Sequence, residues 1–403
     1  MKVLQINAVY EKSSTGRNCK ELHEYMIACG IDSYVAAPFL GNLSDHSFLI
    51  GNKIDWKMHA LLSRITGKQG YFSYLSTHEL INYIDKLKPD VIHLNNLHGN
   101  YINLPMLLNY IAKNDIATVL TLHDCWFYTG KCTHYTVANC YKWINGCYQC
   151  PKLKDDNSSW FFDKTASMWN DKKYLFGNIK KLYVVGVSDW ITEEAKKSLL
   201  SSAKIITRIY NWIDTEKFCP KDVNDLKKKL QLNNKKVIVG VADRWSEKKG
   251  LSKFIELANK LGETYVILLV GRMENDQKFP PNIISVGLTK SIEELVDYYN
   301  LADFFVTMSL EETFGKVSAE ALSCGTPVIC FNSTANPELV SENCGAAVPI
   351  NDVGAMINEI HKLENKDMSA ISKNCRAFAK KNFEKDSNIK QYIKLYKMIC
   401  GEN

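Results

Sequence analysis

The sequence predicts an α/β protein of two doubly wound domains, each a parallel sheet covered by helices on both faces. Three observations carry that prediction. The 403 residues, at about 150 per domain, suffice for two or three domains with cores of their own. Short β-branched and aromatic runs alternate with stretches of helical periodicity, the pattern of repeated βαβ units. The strand candidates fall into two series separated by a turn-rich segment.

The first series is Lys2–Asn7, Asp32–Ala37, Val91–Leu94, Ala117–Leu122, Leu182–Val187 and Lys204–Ile209. The second is Lys236–Val241, Tyr265–Val270, Ile283–Val286, Phe304–Thr307, Pro327–Phe331 and Ala346–Val348. Between them Ile209–Pro220 carries Asn, Asp and Pro turn chemistry and leads into a charged helix, Asp222–Leu232. The domains are therefore expected at 1–205 and 206–385, with the boundary near 205–212. In Ser387–Met398 the residues Ile389, Tyr392, Ile393, Leu395 and Tyr396 recur at near-helical spacing, so the tail 386–403 is a helix that needs a surface to pack on.

Composition excludes several classes. A hydrophobic fraction of 46% and a charged fraction of 23% are those of a soluble globular chain, not of a disordered, collagen-like or integral membrane protein. A net charge of +6 is too weak for a dedicated nucleic-acid binder, yet suits anionic small molecules or an anionic membrane surface. Met1–Asn7 reads directly as a strand with no signal-peptide pattern, which predicts a cytoplasmic protein.

The densest signal is Ser309–Ile329. A strand ends near Met308, Gly315 permits a tight turn, a helix starts near Lys316, and Gly325-Thr326-Pro327 stops it before the next strand. Open α/β sheets bind ligands beyond the carboxyl ends of their strands, where a helix N-terminus offers N–H groups to phosphate. Glu312 and Glu320 are eight residues apart, a span of about 12 Å on a helix, which suits a long ligand with hydroxyls at two places. Upstream, Arg244 and Lys249 follow a strand. Two such cations suit an anionic ligand such as a phosphate.

The Ser309–Ile329 segment resembles the Glu-x7-Glu motif of the family 4 glycosyltransferases, retaining enzymes of the GT-B fold. Val241–Gly250 is similar to that family's Gly-Arg-x4-Lys-Gly, with Asp243 where the family has Gly. Ile209–Pro220 resembles a further family segment, with Trp212 in place of Gly, and Tyr298–Asp303 resembles the helix end and Ala-Asp pair before the next strand. The resemblance implies a GT-B architecture of two Rossmann-like domains facing a central cleft, acceptor domain first, donor domain second, the last helix returning to the first domain. It implies that Glu320 holds the ribose of a nucleotide diphosphate sugar. Glu312, with the backbone N–H groups around Phe314, Gly315, Lys316 and Val317, would hold the sugar hydroxyls, and Arg244 and Lys249 the leaving diphosphate. It also implies front-face displacement without a catalytic divalent metal. The acceptor would be a glycan or a polyprenyl-linked glycan in cell-surface polysaccharide assembly, at the inner face of the membrane. Two rival readings are a GT-B relative that hydrolyses or epimerises a nucleotide sugar, against which the Glu-x7-Glu pattern argues, and a non-catalytic zinc-bearing scaffold.

In the first half, Ser13–Arg17 follows the first strand and opens a helix, where Gly16 either admits donor or acceptor closely or simply serves a βα turn capped by Ser or Thr. Thr121-Leu122-His123-Asp124 ends a strand at the correct edge, and His123 is expected to line the site. His93 and His98 end another strand and either line the same cleft or cap it.

Five of the thirteen cysteines lie between 125 and 151, an insertion after the His-Asp pair. Cys132, Cys140, Cys147 and Cys150 offer one Cys-x2-Cys knuckle and two outer thiols. The spacing admits a structural zinc, free or disulfide-paired thiols, or an iron–sulfur cluster, with His134 a spare ligand. Finally, Met58, Leu61, Leu62 and Ile65 share a helical face beside Trp56, Lys57, Arg64 and Lys68. That helix either covers its own sheet or lies on an anionic membrane.

Overall fold

The computed structural model describes residues 1–41, 44–232, 234–273 and 277–402. The chain divides into two compact units, Met1–Ile209 with the chain from Ile389 onward, and Tyr210–Asn388.

The first unit holds β1 (Lys2–Ile6), β2 (Asp32–Ala37), β3 (Ser47–Leu49), β4 (Val91–Leu94), β5 (Ala117–Leu122), β6 (Leu182–Gly186) and β7 (Ile205–Arg208). Their order is β3-β2-β1-β4-β5-β6-β7, and every neighbouring pair is parallel. β4, β5 and β6 are buried along their whole length, because helices on both faces leave a parallel strand no wet side. β3 is absent from the sequence reading, since its three residues bury nothing fully and give no apolar signal. Strand order reverses between β1 and β4, which opens a crevice at their carboxyl ends.

The tail forms the helix Lys385–Cys400 and buries Ile389, Tyr392 and Tyr396. Buried phenols need hydrogen-bond partners. Here Tyr396 Oη meets His93 Nδ1 at 2.7 Å and Tyr392 Oη meets Thr121 Oγ1 at 3.1 Å. The division falls slightly later than the expected 205 and 385. β7 pairs with β6 from Ile205 to Arg208, which keeps it in the first unit. Lys385 bonds Asp214, and the Asn388 amide bonds the carbonyls of Asn382 and Glu384, which keeps both in the second unit.

The second unit holds β8 (Lys236–Arg244), β9 (Tyr265–Arg272), β10 (Ile283–Gly287), β11 (Phe304–Thr307), β12 (Val328–Phe331) and β13 (Gly345–Val348). The order β10-β9-β8-β11-β12-β13 is again all parallel, with its reversal between β8 and β11. A register shift between Val241 and Arg244 bulges β8 at its end. The bulge depends on Gly271: its φ is +129°, and a Cβ there would stand 1.7 Å from the Ala242 carbonyl oxygen. Among the described residues, no helix is long and apolar enough to cross a membrane.

Candidate active site

In the second unit the loops after β8 and β11 are tied together at the reversal point. Leu310 N–H donates to the Lys248 carbonyl at 3.0 Å. Gly250 has φ +78° and packs on Met308, whose Cβ would be 2.4 Å from an added Cβ. This brings Lys249 Nζ within 2.5 Å of Glu312 Oε1, in a half-exposed ion pair. Glu312 is itself fixed, since its N–H donates to Thr334 Oγ1 at 2.9 Å. Gly315, at φ +83°, turns the chain into the helix Lys316–Ser323, whose N-terminus therefore stands at the carboxyl edge of β11.

Glu320 lies on that helix and is buried, with Tyr299 Oη donating to its Oε2 at 2.8 Å. Phe314 is also buried, stacked edgewise with Phe383 at 5.4 Å and tilted against Tyr210 at 5.9 Å. Its side chain is thus core, and only its backbone faces the turn. Arg244 closes β8 as an exposed side chain beyond the bulge. Asp243, which stands where the family has glycine, pairs with Arg272 at 2.6 Å. The departure adds an ion pair beside Arg244 and leaves the strand in place.

In the first unit the polar groups gather at the β1/β4 reversal. Asn7 Oδ1 accepts from the N–H groups of Ala8 (2.9 Å) and Asn96 (3.2 Å), bridging the two strand ends. His123 Nε2 lies 3.0 Å from Asn95 Oδ1. His98 Nε2 meets Asp124 Oδ2 at 2.6 Å, while Asp124 Oδ1 accepts from Trp126 N–H at 2.8 Å. Burial opposes both charges, yet mutual attraction and hydrogen bonding outweigh it, so His98 is held above the ordinary imidazole value and Asp124 below the ordinary carboxylate value.

His93 is sealed under the final helix, and burial pulls it down to about 3; it is a neutral core hydrogen-bonder. The helix Ser13–Ala28 has no side-chain cap: its N-cap residue is Lys12, so the Ser- or Thr-capped turn, one of the two readings of this segment, does not form. Gly16 sits in the first turn, where a Cβ would press on Val9, Tyr10 and Glu11 at 3.3 Å.

The zinc expectation is not met. Cys132, Cys140, Cys147 and Cys150 do line one cavity with Lys131 and Trp143. Yet among the described residues no group of three or more His, Cys, Asp or Glu side chains is arranged to hold a metal ion. Cys132 and Cys150 are engaged with each other, and Cys147 Sγ accepts from Gly130 N–H at 3.2 Å. The insertion is held instead by buried lysines, which its sequence did not announce. Lys131 Nζ donates to the carbonyls of Leu153, Asp155 and Asp156, and Lys172 Nζ to those of Trp126 and Thr129. Lys172 also lies 3.7 Å over the Trp126 ring, and burial lowers its ammonium to about 7.

Sequence reasoning missed the residues that position the others. Tyr299 supports Glu320, and Asn95 supports His123, each from another strand or helix. No local pattern marks such long-range partners.

Two doubly wound parallel sheets with polar side chains gathered at each reversal define a GT-B α/β protein. The model of "Glycosyltransferase Family 4" matches residues 15–217, and that of "Glycosyl transferases group 1" matches 222–399. The chain belongs to glycosyltransferase family 4. It is 27% identical over 278 residues to the putative colanic acid biosynthesis glycosyl transferase WcaC of Escherichia coli, covering 66% of this chain. It spans 65% of the length of that relative, and 38% of the length of a D-inositol 3-phosphate glycosyltransferase of Mycobacterium sp. (strain JLS), which is 27% identical and covers 38% of this chain. Among solved structures, sucrose-phosphate synthase from Thermosynechococcus elongatus matches with a TM-score of 0.70 at 16% identity, covering 99% of both chains. Anabaena HepE in complex with UDP-glucose matches at 0.64 and 16%, covering 98% of this chain and 99% of that one. These structures establish the fold.

Proposed function

We propose that this protein is a retaining glycosyltransferase that moves a sugar from a nucleotide diphosphate sugar to a glycan or lipid-linked acceptor, in cell-surface polysaccharide assembly at the cytoplasmic face of the membrane. The first unit would bind the acceptor and the second the donor. The observation that carries the reading is the Lys249–Glu312 pair at the β8/β11 reversal, beside the N-terminus of the Lys316–Ser323 helix. A cation, a carboxylate and helix N–H groups together suit a diphosphate joined to a hydroxyl-rich sugar. WcaC, matched over two thirds of this chain, is named for colanic acid biosynthesis, and HepE was solved with UDP-glucose.

In this reading Glu320 holds the ribose, Glu312 the sugar hydroxyls, and Arg244 and Lys249 the diphosphate. The bond from the sugar's C1 to the phosphate oxygen breaks, and the acceptor oxygen attacks C1 from the same face. The acceptor proton passes to the departing phosphate oxygen. His123 and the edge around Gly16 position the acceptor and donor on the first unit's side. Incubation with a panel of nucleotide sugars and glycan or polyprenyl-diphosphate acceptors, followed by mass spectrometry and anomeric NMR, tests it. The expected product gains one glycosyl unit with the donor's anomeric configuration. Inverted product, or donor hydrolysis with no transfer to any acceptor, overturns it.

A further inference from the structure

The helix Lys53–Thr66 partly buries Trp56, Leu62 and Ile65 and leaves a further apolar stripe exposed. Its buried positions are His59 and Ser63, one turn apart, and His59 Nδ1 is bonded to Ser73 Oγ at 2.8 Å. Ile54, Met58 and Leu61, at the spacing of one helical face, are instead 75%, 49% and 40% exposed. A helix that covered its own sheet would bury these three. The apolar stripe therefore serves something outside the unit.

A second segment extends it. Trp160, Phe161 and Phe162 are consecutive and 45%, 67% and 53% exposed. Trp160 N–H donates to the Arg64 carbonyl at 2.7 Å, which joins this loop to the C-terminal end of the helix. Gly67 permits the junction: its φ is +74°, and a Cβ there would stand 2.2 Å from the Phe162 carbonyl oxygen. The loop is fixed as well as exposed, because Ser159 Oγ donates to the same carbonyl at 2.7 Å and Lys154 Nζ to the Trp160 carbonyl.

Cations rim the apolar surface. Lys57, Arg64, Lys154 and Lys164 are all exposed, and Lys164 Nζ lies 5.8 Å over the Phe162 ring. Acidic residues are present too: Asp156 is paired with Lys152 at 2.8 Å, Asp163 accepts from Cys150 N–H and Thr165, Asp55 accepts from Ser76 Oγ, and Asp155 is exposed, so the cations still outnumber the exposed carboxylates. Between the helix and the loop lies a polar cavity of about 260 Å³, lined among others by Arg64, Lys154, Ser63, Asn157, Ser158 and Asp156, whose carboxylate is taken up by Lys152. Two cations and several hydroxyl or amide groups are the chemistry that receives a phosphate.

We propose that this face docks on a bilayer containing anionic phospholipids, with Ile54, Met58, Leu61 and the Trp160–Phe162 loop entering the head-group boundary. Three features favour a bilayer over a protein. Lysine is depleted from protein interfaces, whereas aromatic residues beside lysine and arginine are the composition of interfacial anchors. A two-fold contact between copies would set this basic rim against itself. The cavity adds a place for a phosphate head group where the apolar stripe meets the loop.

Co-sedimentation of the full chain with phosphatidylcholine vesicles, with and without about a third phosphatidylglycerol, tests the proposal. Binding is expected on the mixed vesicles, weaker by roughly tenfold or more on pure phosphatidylcholine and at high salt. The double variant Phe161→Ser/Phe162→Ser and, separately, Met58→Ser/Leu61→Ser should each lose binding by about tenfold or more. Their melting should be unchanged, because the side chains are exposed, and nucleotide binding should be unchanged, because the patch belongs to the first unit and the proposed donor residues to the second. Failure of the mixed vesicles to bind the wild type overturns the proposal, as does equal binding of the variants. Concentration-dependent self-association abolished by the same substitutions, without vesicle binding, overturns it in favour of a second copy. None of these readouts uses catalysis, so the result stands whatever becomes of the proposed transfer reaction.

Discussion

The two units share one sheet plan and place different chemistry at its edge. In the second unit the reversal between β8 and β11 is built from charge: Arg244, the Lys249–Glu312 pair and the buried Glu320. In the first, the reversal between β1 and β4 is built largely from amides and imidazoles: Asn7 takes the Ala8 and Asn96 N–H groups, His123 meets Asn95, and His98 pairs with Asp124. Charge at an edge suits a ligand that develops charge. Amide and imidazole hydrogen bonds suit a ligand that must be oriented and released, since an ordinary hydrogen bond contributes only about 1 kcal/mol net.

The sharpest way to break this contrast is to remove charge from one edge and a hydrogen bond from the other. Arg244→Ala or Lys249→Ala should lower kcat/KM by about 10²–10³, the cost of losing one preorganised charge stabiliser. His123→Ala should cost about tenfold or less, the worth of a positioning hydrogen bond. Steady-state kinetics on all three, with melting curves to confirm folding, make the comparison. A larger loss at His123 than at either cation would reverse the roles of the two edges.

The same contrast explains what could be read from the sequence. The second unit's site is made from contiguous segments, 244–249 and 309–320, whose glycines and charges sit at fixed spacing on one strand–loop–helix unit. Such a pattern is local and therefore legible. Among the described residues, twelve of thirteen strands were legible for a similar reason, because buried parallel strands are apolar runs; β3 was not, because it buries nothing fully. The first unit's site is assembled across sequence distance. His123 finds Asn95 across 28 residues, and His93 finds Tyr396 across 303. Spacing could suggest that His93 stood at an edge, and only the final helix shows it roofed over. The cysteines show the same limit: four thiols within nineteen residues fit a zinc site on paper, while the structure places them around one cavity, with no group arranged to hold a metal ion among the described residues.

The His98–Asp124 pair sharpens the comparison through pH. His98 is held above its ordinary value, so its contribution to stability is complete below the ordinary imidazole value and fades as pH rises through the raised one. Asp124 is held below its ordinary value, so its contribution is present above the ordinary carboxylate value and fades as pH falls through the lowered one. The melting difference between wild type and His98→Gln should therefore be greatest between those limits, at about 1.5–3 kcal/mol for a hydrogen bond between charged groups, and should shrink toward alkaline pH. A difference that grows from neutral to alkaline pH would show that the pair is not ionised as described.

The smallest expected effect concerns how the second unit's buried carboxylate is held. Glu320 has little exposure, and a buried carboxylate without hydrogen-bond donors is costly, so Tyr299 Oη is part of what keeps it ready for a ligand. Tyr299→Phe removes only the hydroxyl; the ring keeps its packing against Phe305 and Phe218, and the Thr326 hydroxyl still donates to its carbonyl. The fold should survive. What changes is the orientation and hydrogen bonding of Glu320, which should weaken binding of the bare nucleoside diphosphate by up to about tenfold, the worth of one hydrogen bond, and leave kcat nearly unchanged. Glu320→Ala should weaken the same binding further, and Glu312→Ala should leave it intact while lowering turnover, because Glu312 is assigned to the sugar. Calorimetry with the diphosphate alone separates these outcomes. If Tyr299→Phe lowered kcat and spared nucleotide affinity, Glu320 would be acting on the sugar, and the two glutamates would have to exchange roles.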